Sequence, residues 1–385
     1  CRRVAQGAGV PWWVQATELM GLQICFRADA ALWIGTGHVM RCLTLADALS
    51  AAGHDCHFIC RSHRGHLLEV IHGRGYTTTA LPAAVQQAEP VAGSHAHWLG
   101  VSVEQDAADT AAVLQSVGCD WLVVDHYALD TQWESRMRAC CRHVLVIDDL
   151  ADRAHDCDLL LDQTYSRRPE DYRSLVPAAA QLLCGSANAL LRADFAAQRE
   201  ASLTRRAAQP YPLKHILVSM GGVDADNATA QVLRGLAATP GAGALAVTVI
   251  MGGQAPWLTE VQQLSQALTL DVTVRVDVSD MASVMAQADL AIGAAGATAW
   301  ERCCLGLPTL MAVLADNQRL VAEGLRAAGA VHLLPSVNSL AKSLPGLLGA
   351  LIADPGQLQQ MSQRAAALVD GAGVRRVLDA MEALA

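Results

Sequence analysis

Residues 22–42 read L-Q-I-C-F-R-A-D-A-A-L-W-I-G-T-G-H-V-M-R-C, and their order decides the fold. The run 22–27 has strand length and ends at Arg27, Ala28 and Asp29. Gly35 and Gly37 then turn the chain. From His38 onward apolar residues fall at Val39, Leu43, Leu45, Ala46 and Leu49, which is helical spacing over 38–52. A strand running through a glycine turn into a helix is the opening unit of a doubly wound α/β domain. Glycines there let the backbone approach a ligand, and the N–H groups at a helix start favour an anion. The turn lacks the third glycine of a dinucleotide fingerprint and the G-K-[ST] of a P-loop.

The same alternation continues outward. Strands are expected at 57–60, 76–81, 121–125, 143–147, 159–162 and 181–184, with helices at 67–72, 104–117 and 131–141 and a loop at 90–102. A charged helix at 195–206 meets Gln209-Pro210-Tyr211-Pro212, where the pattern stops and restarts. Beyond it come strands at 215–219, 247–251, 272–276, 290–292 and 309–313, with helices at 224–238, 281–287 and 297–305 and through 328. The chain is therefore expected to hold an extension at 1–19, a Rossmann-like domain at 20–206, a second at 207–339 and a helical tail at 340–385. Two doubly wound Rossmann-type domains facing a central cleft form the expected α/β architecture. Translation is expected to begin at Met20, because 1–19 shows neither strand alternation nor a signal-peptide plan.

Composition narrows the function. Hydrophobic residues make up 52% of the 385 residues and charged residues 17%, yet no run approaches the ~20 apolar residues of a spanning helix. The surplus fits strands covered on both faces. A net charge of −9 without a Lys/Arg block argues against nucleic-acid binding. The 12 cysteines are scattered and form no C-x-x-C, so a reducing cytoplasm is expected. Neither a heptad nor an interface stripe is evident, and a monomer is expected.

Several residues can do chemistry. His38 stands after the first strand, on the edge where α/β sheets bind ligands, and an imidazole there can take a proton from water. The plainer reading is a histidine that caps the helix. Ile292-Gly293-Ala294-Ala295-Gly296-Ala297-Thr298 leads from a strand into a helix and suits a diphosphate. Glu301, one turn in, could accept bonds from two ribose hydroxyls. Asp316 reads as a helix cap, while Asn317 and Gln318 could bond acetamido or hydroxyl groups. The loops holding Gly221 and Gly222, and Asp125-His126-Tyr127, add candidate substrate contacts. Asp148 and Asp149 lack a third ligand at sensible spacing, so no metal and no cofactor are expected.

Taken in order, R-A-D, I-G-x-G-H-V-M-R-C, V-V-D-x-Y, I-D-D-L-A-D-R, M-G-G-x-D and A-D-N-Q resemble the UDP-2,4-diacetamido-2,4,6-trideoxy-β-L-altropyranose hydrolase family of pseudaminic acid biosynthesis. The resemblance runs from residue 20 to about residue 329 and weakly to the end. It implies a GT-B fold similar to the lipid II-forming glycosyltransferase, with water in place of an acceptor sugar. It implies that His38 activates that water at the anomeric carbon, with no metal requirement. Asn317 and Gln318 are then expected beside the sugar, and Arg27, Asp29, Gly35, Gly37, Tyr127 and Asp125 among the substrate-binding residues, Asp125 either bonding substrate or fixing its loop. Gly293, Gly296, Thr298 and Glu301 are expected around UDP, and Gly221 and Gly222 among the other substrate-binding residues. The alanines of G-A-A-G-A-T-A-W-E-R leave the diphosphate to backbone N–H groups and Thr298. A glycosyltransferase using the same donor, a UDP-releasing epimerase, a non-catalytic UDP-sugar sensor and a scaffold with a fossil site are the rival readings. Acceptor dependence separates the transferase, and binding without turnover separates the sensor.

Overall fold

The computed structural model describes residues 21–83, 95–208, 211 and 213–385. The expected extension at 1–19, the start at Met20, residues 90–94 of the expected loop, and Gln209, Pro210 and Pro212 lie outside the described residues. The chain divides into two units.

The first unit takes in residues to 163, 167–190 and 374–385. Seven parallel strands form its sheet: β1 (Gln23–Ala28), β2 (Asp55–Arg61), β3 (Thr77–Leu81), β4 (Trp121–Asp125), β5 (His143–Ile147), β6 (Leu159–Asp162) and β7 (Gln181–Cys184). Their order is β3-β2-β1-β4-β5-β6-β7, so the winding reverses between β1 and β4. Helix α1 (Gly37–Ala51) buries Val39, Cys42, Leu43, Ala46 and Leu49 against one face. On the other face α3 (Val103–Val117) and α4 (Thr131–Met137) supply Ala107, Leu114, Trp133 and Met137. The short α2 (Leu68–Gly73) leads into β3. Fully buried strands such as Trp121–Asp125 explain the apolar surplus of the composition.

The second unit comprises 164–166 and 191–373. Its sheet has β8 (His215–Ser219), β9 (Ala246–Met251), β10 (Asp271–Val276), β11 (Leu290–Ala294), β12 (Thr309–Ala312) and β13 (Val331–Leu333). The order β10-β9-β8-β11-β12-β13 again reverses at the centre, between β8 and β11. Helices α6 (Ala228–Ala237), α7 (Leu258–Ala267), α8 (Met281–Gln287), α9 (Thr298–Cys304) and α10 (Arg319–Ala327) complete the winding.

The division falls after Leu190, whereas the sequence pattern suggests 206/207. The reason is α5 (Ala193–Arg206). Ser202 Oγ donates to Leu305 O at 2.8 Å, and Arg206 donates to Leu305, Ala288 and Met285 carbonyls at 3.0, 2.6 and 2.9 Å. These are orphan carbonyls at helix ends, and Ser202 and Arg206 satisfy them. The tail is also split. Helices α11 (Leu340–Ala353) and α12 (Pro355–Leu368) lie in the second unit, while α13 (Gly373–Leu384) places Val377, Leu378 and Met381 in the core of the first.

Candidate active site

In an open parallel sheet ligands bind outside the carboxyl ends of the strands where the winding reverses. In the first unit that place is the end of β1 and β4, whose register sets Ala28 beside Asp125. The loop after β1 turns at Gly35, which has φ +84°, and delivers His38 to the first turn of α1.

His38 does not cap the helix. Its Nδ1 lies 2.6 Å from Asp125 Oδ1. Arg41, three residues on and so on the same helical face, donates from Nε to Asp125 Oδ2 at 2.6 Å and from Nη2 to Oδ1 at 2.7 Å. Its Nη1 donates to Asp149 Oδ2 at 2.6 Å, which also accepts the Tyr127 hydroxyl at 2.7 Å. Burial alone would raise the Asp125 carboxyl, but the Arg41 guanidinium and His38 hold it far below the usual carboxylate range. An ionised Asp125 has no proton to give, so Nδ1–H of His38 is the donor. The neutral ring then presents Nε2 as a proton acceptor. Tyr127 and Trp98 meet the His38 ring edge-on, with centroids 4.6 and 5.7 Å away, and stack on each other.

Asp125 was expected either to bond substrate or to fix its loop. It is fully buried and acts on His38 instead. Arg27 and Asp29 need a similar correction, because both are fully buried and belong to an internal network. Arg27 donates to Asp29 at 2.6 and 2.9 Å and to Asp106 at 3.2 and 2.7 Å. Asp29 also accepts the Arg61 backbone N–H at 2.7 Å, and Asp106 accepts Arg61 Nη2 and Trp133 Nε1 at 2.6 and 3.0 Å. Charges this deep persist only when paired. R-A-D therefore fixes the loop that presents His38.

Asp148 and Asp149 turn to different partners. Asp148 takes Arg153 and the Tyr172 hydroxyl at 2.8 and 2.7 Å, while Asp149 serves Arg41 and Tyr127. Among the described residues no group of three or more His, Cys, Asp or Glu is placed to hold a metal ion.

In the second unit the reversal lies between β8 and β11, with Ser219 beside Gly293. Gly221, with φ +94°, and Gly222 are exposed in the loop after β8. Asn227 caps the following helix by accepting the Ala230 N–H at 3.3 Å, and Asp224 accepts the Ala228 and Thr229 N–H groups at 2.8 and 2.9 Å. This is why α6 begins four residues later than the pattern suggests. After β11 the chain turns at 295–297 into α9. Arg302 reaches back under this turn, donating to Thr298 Oγ1 at 3.1 Å and Ala294 O at 2.6 Å. Gly293 is buried, and a Cβ there would stand 2.7 Å from Arg302 Nη1, so its smallness makes room for that arginine. It supports the turn, while Gly296 and Thr298 sit partly exposed on it. Burial pushes the Glu301 carboxyl up to about 7 against the opposing pull of Arg192 and Arg302. Gln318 Oε1 accepts the Leu314 N–H at 3.0 Å and holds its own loop; the Asn317 side chain lies outside the described residues.

Arg41, Trp98 and Asp149 are participants that reading the sequence left without this role. The three-residue spacing of His38 and Arg41 was a usable signal. Trp98, in a short turn at Ala96–Trp98, carried none.

Comparison with known proteins bears on the fold and the family. Residues 215–376 match the glycosyltransferase family 28 C-terminal domain. The chain is 22% identical over 264 residues to the UDP-2,4-diacetamido-2,4,6-trideoxy-beta-L-altropyranose hydrolase of Campylobacter jejuni, covering 69% of this chain and 81% of that protein. It is 30% identical over 229 residues to the UDP-N-acetylglucosamine--N-acetylmuramyl-(pentapeptide) pyrophosphoryl-undecaprenol N-acetylglucosamine transferase of Chromobacterium violaceum, covering 55% of this chain and 63% of the transferase. Among solved structures, Acinetobacter baumannii MurG superposes with a TM-score of 0.65 at 17% identity, over 93% of this chain and 98% of that one. The Neisseria meningitidis UDP-GlcNAc 2-epimerase gives 0.57 at 13% identity, over 94% and 99%. The chain thus has the GT-B fold, its residues 215–376 match the glycosyltransferase family 28 C-terminal domain, and the resemblance to the UDP-2,4-diacetamido-2,4,6-trideoxy-β-L-altropyranose hydrolase family read in its sequence holds.

Proposed function

We propose that the chain hydrolyses a UDP-linked 2,4-diacetamido-2,4,6-trideoxyhexose to the free sugar and UDP, as a step of pseudaminic acid biosynthesis in the cytoplasm. His38 Nε2 takes a proton from water as the water attacks the anomeric carbon, and the C–O bond to UDP breaks. The observation that carries this reading is the His38 ring held through Nδ1 by an Asp125 carboxylate that Arg41 keeps ionised. A base set in one tautomer before substrate arrives contributes about 10²–10⁴ in rate. UDP is a good leaving group, so little acid catalysis is needed. Backbone N–H groups of the turn at 296–298 and Thr298 are assigned to the diphosphate, and Glu301 to the ribose. Tyr127, Asn317 and Gln318 are assigned to the sugar. The reaction assigns no role to a metal, and the protein is proposed to work as a monomer.

The sequence likeness to the Chromobacterium violaceum transferase favours one second reading, transfer of the sugar to an acceptor hydroxyl. The test is UDP release from the UDP-linked diacetamido sugar by purified protein in EDTA, without acceptor, followed by NMR. Steady release that His38→Asn abolishes while UDP still binds supports hydrolysis. Release only when an acceptor is supplied establishes the transferase, and binding without release establishes a sensor.

A further inference from the structure

A second imidazole shares the aromatic pair on which His38 rests. Trp98 and Tyr127 stack with centroids 5.4 Å apart and planes 26° from parallel. Both rings are anchored. Trp98 is buried at the end of the turn Ala96–Trp98, and Tyr127 gives its hydroxyl to Asp149 at 2.7 Å while Arg153 lies over its ring at 5.9 Å. His95, from the segment leading into α3, meets Trp98 edge-on at 4.8 Å and Tyr127 at 5.2 Å. Its carbonyl accepts the Trp98 N–H at 2.8 Å, so the turn that buries Trp98 also fixes the His95 backbone. With centroids 4.6 and 5.2 Å from that of Tyr127, the His38 and His95 rings are at most about 10 Å from each other. A hexose ring with an acetamido arm bridges such a span.

The two imidazoles differ in what holds their nitrogens. His38 Nδ1 is engaged by Asp125 at 2.6 Å. His95 is half-buried, and among the described residues neither of its ring nitrogens has a hydrogen-bond partner; aromatic contacts alone hold the ring. Burial pushes this imidazole below its ordinary range, against the pull of Asp152 and with the help of Arg153, His97 and His38. A neutral imidazole offers one N–H donor and one lone pair. That set matches an amide, which has one acceptor and one donor, and suits a phosphate or carboxylate poorly.

We propose that His95 is a specificity-determining residue that hydrogen-bonds an acetamido group of the sugar whose anomeric carbon faces His38. The inference rests on the reading of a UDP-linked diacetamido sugar as substrate, and holds whether that sugar is hydrolysed or transferred. The stacked pair supplies an apolar wall for the acetyl methyl, as ligand sites commonly do around a few placed polar groups. No bond to His95 forms or breaks, so its contact is made alike in the ground and transition states and acts on affinity rather than on kcat. Loss of one neutral hydrogen bond weakens binding about twofold to tenfold.

The test is titration calorimetry on the full chain with three probes that survive turnover. These are UDP, the UDP-linked diacetamido sugar with a methylene in place of its anomeric oxygen, and the same compound with hydroxyls replacing both acetamido groups. His95→Phe keeps a ring against Trp98 and Tyr127 but removes both nitrogens, and His95→Asn restores a donor and an acceptor. The expected result is a twofold to tenfold loss for the diacetamido probe in His95→Phe, partly recovered in His95→Asn, with UDP and the hydroxyl probe unchanged. His95→Ala supplies the same comparison if phenylalanine disturbs the turn. Unchanged affinity for the diacetamido probe, or an equal loss for UDP or the hydroxyl probe, would overturn the inference alone. A parent chain that binds the diacetamido probe no tighter than UDP would overturn it together with the substrate reading.

Discussion

Replacing Asp125 with asparagine tests how His38 is set. The side chain keeps its size but loses the charge that Arg41 holds at 2.6 and 2.7 Å and that fixes Nδ1–H of His38 at 2.6 Å. The amide can present its NH2 group to Nδ1, which moves the ring proton to Nε2 and removes the base. The expected loss is about 10²–10⁴ in kcat, or about 3–5 kcal/mol of transition-state stabilisation. KM should change little, because Asp125 is buried and reaches no substrate. Arg41 retains Asp149 at 2.6 Å, so the stability loss should fall below the ~3–5 kcal/mol of a fully orphaned buried charge. The assay is UDP release with kcat and KM separated, alongside a thermal melt to show that the variant is folded. A folded variant turning over within about threefold of the parent would refute the argument, since a mis-set base costs at least ~10².

Three other perturbations follow from particular contacts. Glu301 is held up to about 7 in the folded chain, above its unfolded range near ~4.3, so the native state keeps a proton that the unfolded state has lost. Its contribution to stability therefore declines as pH rises from about 4.5 to about 7 and stays low above; Glu301→Gln should melt higher than the parent near pH ~8 and equally near ~4, as read by paired thermal melts. Arg27→Ala removes one partner from both Asp29 and Asp106 while Arg61 still faces Asp106 at 2.6 Å, and should lower unfolding free energy in urea titrations by less than the ~3–5 kcal/mol of fully orphaned charges. Both carboxyls are held below their usual range by Arg27 against burial, so this stabilisation is present above about pH 4 and is lost only as pH falls through their lower folded values. Gly293→Ala puts a Cβ 2.7 Å from Arg302 Nη1 and 2.9 Å from Ser219 O, and should cost ~1–3 kcal/mol while weakening UDP binding by calorimetry.

Most strands were legible as buried apolar runs, and β4, β5, β6 and β8 fall where the pattern puts them, although β3, β7 and β10 bury little. The short β13 and the helix α7 were not, the first for its three residues and the second for its mostly polar surface. His38 was legible from the strand–turn–helix order around it. The inward roles of Arg27, Asp29 and Asp125 were hidden, because a charged residue beside a candidate catalytic loop reads the same whether it faces ligand or core. Their partners Asp106, Trp133 and Arg41 come from other parts of the chain, and only the fold brings them together.

The central claim is that water, activated by His38, attacks the anomeric carbon. Running the reaction in water enriched in the heavy oxygen isotope, and weighing both products, tests it most directly. The account predicts heavy oxygen in the released sugar and none in UDP, with no labelled product from His38→Asn. Label in the nucleotide phosphate would mean attack at phosphorus and would contradict it.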